Sequence, residues 1–135
     1  MKYYPQILVV QSDKKELKKV ENFLRLLFKE EELPHESFHK VLLCVSEAVI
    51  NSIEHGNKNE EGKKVTIEVS CRHKELYITV TDEGDGFNYS EVADPTMNEN
   101  IKNETGRGIF IMKSISDKID FREEGKCVEF KIELV

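Results

Sequence analysis

The chain has 135 residues, with 20 Lys+Arg against 26 Asp+Glu, for a net charge of −6. That length suits one domain with one core, and the acidic balance disfavours a nucleic-acid binder, which carries a basic stripe. No apolar run approaches the ~20 residues that span a bilayer. The cysteines, Cys44, Cys71 and Cys127, are odd in number, widely spaced and without a CxxC pair. They read as reduced, core-filling thiols of a cytosolic protein. The N-terminal stretch lacks a signal-peptide h-region, so a cytoplasmic location is expected. The sequons at Asn88-Tyr89-Ser90 and Asn103-Glu104-Thr105 are then chance matches.

Gln6 to Val10 is a short apolar strand. Asp13 caps the helix after it, with Glu16 in capping-box position. Leu17, Val20, Phe23, Leu24, Leu27 and Phe28 recur at helical spacing. The acidic run Glu30-Glu31-Glu32 is a solvated helix end. Pro34 restarts the chain, and a second helix is predicted from about His35 to His55, with Gly56 as its left-handed stop. Phe38, Val41, Leu42, Val45, Val49 and Ile53 form one stripe along it. At about 100° per residue, Glu47 and Asn51 fall on roughly the opposite side, flanked by apolar Leu43, Cys44, Ala48 and Ile50. A helix apolar nearly all round is covered on more than one face. An unpaired carboxylate there is costly, so Glu47 is expected to face a pocket or a partner.

Asn57 to Lys64 is a polar turn. Lys64 to Cys71 and Leu76 to Asp82 alternate as the strands of a hairpin, joined by Arg72-His73-Lys74-Glu75. Phe87 to Thr105 is a long polar stretch, which in a small domain means a lid or a disordered segment. Gly106 is predicted to open a helix running to about Ser116. Strands over Lys118 to Arg122 and Cys127 to Leu134 close the chain, separated by Glu124-Gly125. No internal repeat and no second domain is evident.

Three segments could carry chemistry. Asp82-x-Gly84-x-Gly86 ends a strand, where glycine lets backbone approach a ligand closely and the Asp can accept a hydrogen bond from an exocyclic amine. Taken alone, a plain Gly-rich β-turn is the preferred reading. Gly106-Arg107-Gly108 precedes a helix, whose N-terminal N–H groups suit phosphate, and Arg107 can add a charge-assisted fork. A glycine-rich cap with a solvated Arg is the plain alternative. Glu47 and Asn51 stand at i, i+4 and leave one helix face. An amide oxygen is a hard ligand suited to Mg²⁺, and a carboxylate one turn away can deprotonate a hydroxyl. No P-loop and no Rossmann fingerprint occurs. His35-Glu36-Ser37-Phe38-His39 matches HExxH, but Phe38 belongs to the apolar stripe and no third ligand is evident, so exposed histidines are preferred.

Taken together, Glu47-x-x-x-Asn51 with His55-Gly56, Asp82-x-Gly84-x-Gly86-Phe87, and Gly106-Arg107-Gly108-Ile109 resemble the N, G1 and G2 boxes of the GHKL ATPase/kinase superfamily. The wording from Ser46 to Ser52, through His55-Gly56-Asn57-Lys58, is similar to the bacterial anti-sigma-factor serine kinases, the switch-protein kinases. So is Gly106 to Met112, through Asp117. The resemblance covers nearly the whole chain. It implies a two-layer α+β Bergerat fold, with a mixed, largely antiparallel sheet and helices on one face, forming a single histidine-kinase-like ATPase domain over residues 1–135.

By the same resemblance the cofactors are ATP and Mg²⁺. Asn51 ligates Mg²⁺ and Glu47 is the catalytic base towards a serine or threonine hydroxyl. Asp82 reads the adenine amino group, with Gly84 and Gly86 shaping the base pocket. Gly106, Arg107 and Gly108 meet the phosphates, His55 and Lys58 lie near them, and residues 87–105 are the lid. The family's usual substrate is a STAS-fold anti-sigma-factor antagonist, and its other partner is often a sigma factor. Relatives are often homodimers, although the sequence carries no interface signature. One departure is that the late-strand Gly-Thr pair of many members reads Gly125-Lys126-Cys127-Val128 here, so the adenine contacts are expected to be weaker or rearranged. Another is that the dimerisation helices and phospho-acceptor histidine of two-component kinases are missing, which argues against autonomous histidine kinase function. The leading expectation is an ATP-dependent serine/threonine protein kinase acting in a partner switch. The alternative is a non-catalytic, nucleotide-gated sequestering module.

Overall fold

The alternation of apolar and polar residues builds the sheet. In β2 (Lys64–Arg72), Val65, Ile67 and Val69 are buried while their neighbours are not, and in β3 (Glu75–Asp82) Leu76, Ile78 and Val80 repeat the pattern. β5 (Cys127–Glu133) adds Val128, Phe130 and Ile132 to the same face. The computed structural model describes residues 5–60, 62–84, 104–123 and 126–134, with residues 104–106 by backbone alone. With β1 (Gln6–Gln11) and β4 (Lys118–Arg122), the strands form a five-stranded sheet in the order β1-β2-β3-β5-β4. All four pairings are antiparallel, so the mixed character expected of the sheet is not found among the described residues.

Three α-helices, α1 (Leu17–Glu30), α2 (Phe38–Asn51) and α3 (Glu104–Ile115), cover the apolar face. α2 packs on α1, α3 and β3. Its stripe of Phe38, Val41, Val45 and Val49 is buried, and so are Cys44 and Ala48. Two sides of α2 are therefore covered, as its composition requires, while Leu43 is exposed at 44%. No helix among the described residues is long and apolar enough to cross a membrane.

Several boundaries differ from the expected ones for local reasons. Asp13 caps a 3-10 turn, Lys14–Glu16, rather than α1 itself, its carboxylate accepting from the Lys15 N–H at 2.9 Å. Glu16 reaches back past the cap to the Gln11 N–H at 3.2 Å. The second helix divides into a 3-10 turn (His35–Ser37), α2, and a π-helical turn (Ser52–Gly56) closed by the Asn57 N–H on the Ser52 carbonyl at 2.7 Å. Gly56 is not a left-handed stop. The left-handed residues are Lys58 (φ 53°) and Asn59 (φ 60°). α3 begins at Glu104, before Gly106, so Gly106 and Gly108 lie inside it. Of the expected lid, residues 104 and 105 belong to α3, and residues 87–103 lie outside the described residues.

The β2–β3 hairpin is tighter than its sequence suggests. Arg72 pairs with Glu75, leaving His73 (φ 51°) and Lys74 (φ 65°) as a two-residue loop. Positive φ at both positions is the type I′ pattern, which favours Asn-Gly. Replacing His73 by Asn and Lys74 by Gly is expected to stabilise the chain by about 1 kcal/mol. The gain in Tm is then about 4 °C, measured by thermal denaturation.

Candidate functional site

Glu47 and Asn51 on α2 open onto a cleft of about 330 Å³. Glu47, Ile50 and Asn51 line it from α2, and Glu54 lines it from the π-helical turn. Arg107, Gly108 and Ile111 come from α3, and Lys14 comes from the turn after β1. The i, i+4 spacing of Glu47 and Asn51 aims both side chains at α3. There a Cβ on Gly108 would stand 2.7 Å from Glu47 Oε2 and 3.7 Å from both polar atoms of the Asn51 amide. Gly108 lets the α3 backbone lie against the flexible end of Glu47. Asn51 is buried, and its Nδ2 has no hydrogen-bond partner among the described residues. Amide orientation is assigned from the surrounding network. In either orientation Asn51 has a buried amide terminus available to a ligand.

A second cluster lies past the π-helical turn. Asp82 ends β3 at 5% exposure, and its Oδ1 accepts from the Gly84 N–H at 2.8 Å. Its Oδ2 is buried with no partner among the described residues. A Cβ on Gly56 would overlap this carboxylate, and a Cβ on Gly84 would overlap the Gly56 carbonyl. Both glycines are required by close approach rather than by backbone conformation. Burial pushes the Asp82 carboxyl above its ordinary value. The Gly84 N–H and the charges of Lys126 and Lys63 act in the opposite direction without cancelling the shift. A buried acceptor with an open lone pair suits an amino-group donor.

Asn57 carries no distinguishing signal in the sequence. It is fully buried, its Nδ2 donates to the Lys64 carbonyl at 3.0 Å, and its Oδ1 accepts from the Glu83 N–H at 2.9 Å. Glu83 in turn accepts from the Lys64 N–H at 2.6 Å. This network ties the end of α2 to both strands beside Asp82. Within a polar run, a buried asparagine leaves no mark on hydropathy. Its one cue is its place directly after Gly56.

Two other expected residues are not brought to the cleft. His55 is half-buried and Lys58 exposed, and neither lines it. Gly106 lies in the first turn of α3, and Gly86 lies outside the described residues. On the late strand, the Lys126 carbonyl accepts from the Asp82 N–H at 2.9 Å, and Cys127 Sγ takes a hydrogen bond from Thr81 Oγ1 at 3.6 Å. The histidines of the HExxH match are both exposed. The 3-10 turn at His35–Ser37 breaks the continuous helix on which that ligand geometry depends. All three cysteines are free thiols, and burial pushes Cys44 up to about 12, which keeps it protonated and unreactive.

The geometry agrees with comparisons to known proteins. Residues 10–132 match the histidine kinase-like ATPase domain. The chain belongs to this family. Family membership implies ATP use. The anti-sigma F factor of Clostridium perfringens is 35% identical over 91 residues, covering 66% of this chain and 65% of that one. The anti-sigma F factor of Oceanobacillus iheyensis is 38% identical over 83 residues, covering 60% and 57%. The serine-protein kinase RsbW of Bacillus subtilis is 24% identical over 91 residues, covering 63% and 57%. The match thus spans just under two thirds of these relatives' length. A crystal structure of RsbU and RsbW domains from Mycobacterium tuberculosis superimposes with a TM-score of 0.61 at 15% identity, over 95% of this chain and 31% of that one. At that identity the likeness concerns the fold of this ATPase-family domain.

Two measurements probe the Asp82 corner. The folded-state pKa of Asp82 lies above the ordinary carboxylate value of 3.8. Its contribution to stability is therefore present below that value and lost as pH rises through the folded pKa. Asp82→Asn, which carries no charge to desolvate, is expected to raise Tm at pH 7 by about 4 °C per kcal/mol relieved. The gain should shrink towards pH 4. Gly84→Ala forces a Cβ against backbone that cannot yield. It is expected to destabilise the chain by about 1–3 kcal/mol in denaturant titration.

Proposed function

We propose that this chain is an ATP- and Mg²⁺-dependent serine/threonine protein kinase that acts as an anti-sigma regulatory factor, with residues 1–135 working as one ATPase-type domain. Its substrate is a STAS-type anti-sigma-factor antagonist, and its second partner is a sigma factor. The observation that carries the reading is the carboxylate of Glu47, set in the cleft one helical turn from Asn51 and faced by Gly108. A site that only bound nucleotide would have no use for a base there. The names of the relatives, anti-sigma F factor and serine-protein kinase, support the same reading.

The residues fit the nucleotide at both ends. Asp82 Oδ2, without a partner among the described residues, would accept from an exocyclic amine, and Gly56 lies directly against that carboxylate. Asn51 offers its amide to a metal. Arg107, on the α3 wall of the cleft, offers a planar fork to phosphate oxygens. When bound, ATP supplies the phosphoryl group, and Mg²⁺ offsets its charge. Glu47 accepts the proton of the attacking serine or threonine hydroxyl at Oε2, the oxygen nearest Gly108.

The deciding experiment is phosphate transfer from labelled ATP to a STAS-domain antagonist by the full-length chain. Glu47→Ala is expected to lower the transfer rate by about 10²–10⁴-fold while ATP affinity stays near that of wild type. Asn51→Ala is expected to lose Mg²⁺-dependent nucleotide binding. Transfer at the wild-type rate by Glu47→Ala would overturn the assignment of the base. Partner control that survives in Glu47→Ala without any transfer would mark a nucleotide-gated sequestering module instead.

A further inference from the structure

We propose that Lys14 is a phosphate-binding residue of the cleft and that Glu54 holds it in place, an inference that rests on the reading of the cleft as a nucleotide site. Lys14 lies far from the three boxes in sequence, yet it lines the same cleft as Asn51 and Arg107. Its Nζ stands 2.9 Å from Glu54 Oε2. Glu54 comes three residues after Asn51 and seven after Glu47, so all three leave α2 and its π-helical turn towards the cleft.

The backbone that carries Lys14 is pinned on both sides. The Ser12 N–H donates to the Lys63 carbonyl at 3.0 Å, and the Glu16 N–H donates to the Asp13 carbonyl at 2.9 Å. The Asp13 carboxylate caps the turn on the Lys15 N–H. Lys15 and Lys18 are exposed and line no part of the cleft, so Lys14 alone of this basic cluster reaches it.

Charge balance gives the pair its role. The ionisable residues lining the cleft are Lys14 and Arg107 against Glu47 and Glu54. A polyphosphate beside two carboxylates needs both cations close by. Lys14 has three donors, so it can keep Glu54 and still donate to a phosphate oxygen. As a compact point charge it complements the planar fork of Arg107. A strut holding the turn to α2 is the competing role, but a pair with Lys14 still 55% exposed adds little to stability.

Calorimetric titration of the full-length chain with Mg·ATP, Mg·ADP and adenosine separates the two roles. Lys14→Met is expected to weaken ATP and ADP roughly tenfold and to leave adenosine unchanged. Lys14→Arg, which keeps the charge, is expected to recover most of the loss. ATP affinity unaltered by Lys14→Met, or equal weakening of all three ligands, would overturn the inference and assign the pair to a strut. Wild-type protein that binds neither ATP nor ADP would instead overturn the nucleotide reading on which it rests.

Discussion

The site depends on how closely the end of α2 approaches the end of β3. The Gly56 carbonyl occupies the space a Cβ on Gly84 would need, and the Asp82 carboxylate occupies the space a Cβ on Gly56 would need. Two pieces of chain meet here, with only the Asp82 carboxylate between Gly56 and the end of β3. Any Cβ in the stack would push α2 away from the sheet. Because Glu47 and Asn51 are fixed on the same helix, it would also move the other end of the cleft. Asn57 keeps the stack closed. Its amide joins Lys64 on β2 to Glu83 just past β3, so the helix end and both strands share one hydrogen-bonded residue.

The corner is built against its own stability. Asp82 Oδ2 and Asn51 Nδ2 are buried without a partner among the described residues, and unmade buried hydrogen bonds are expensive. Asn51 stands beside the cleft and Asp82 at the end of β3. Burial also disfavours the charged form of the Asp82 carboxyl. These costs fit a site preorganised for a ligand that supplies the missing donors and acceptors. The same surroundings that raise the Asp82 pKa strengthen a hydrogen bond made to its open oxygen.

Much of this is legible in the sequence because its cause is local. Val65, Ile67 and Val69 alternate, and so do Leu76, Ile78 and Val80, and one buried face is the only arrangement that satisfies both strands. Glu47 and Asn51 can be placed together because four residues make one helical turn. Other features are hidden because their causes are tertiary. Gly56 has the sequence position of a left-handed stop, yet it is glycine because Asp82, 26 positions later, needs the room. Asn57 is hidden in a polar run, although it is fully buried. The pairing of Lys14 with Glu54 joins two exposed-looking residues 40 positions apart that only the tertiary fold brings together.

The π-helical turn connects these observations. Continued α-helix would direct the Asn57 N–H to the Ile53 carbonyl; here it donates one residue further back, to Ser52. The extra residue rotates the downstream chain by about 100° relative to a continued helix. With that rotation, Gly56 faces Asp82 and the Asn57 side chain points inward to both strands. Without it, a larger part of the turn would aim at solvent, and the unpartnered oxygen of Asp82 would have no glycine beside it. π-turns inside helices are uncommon and concentrate at functional positions. Here the turn lies between Asn51, the last residue of α2, and the Asp82 carboxylate against which Gly56 packs.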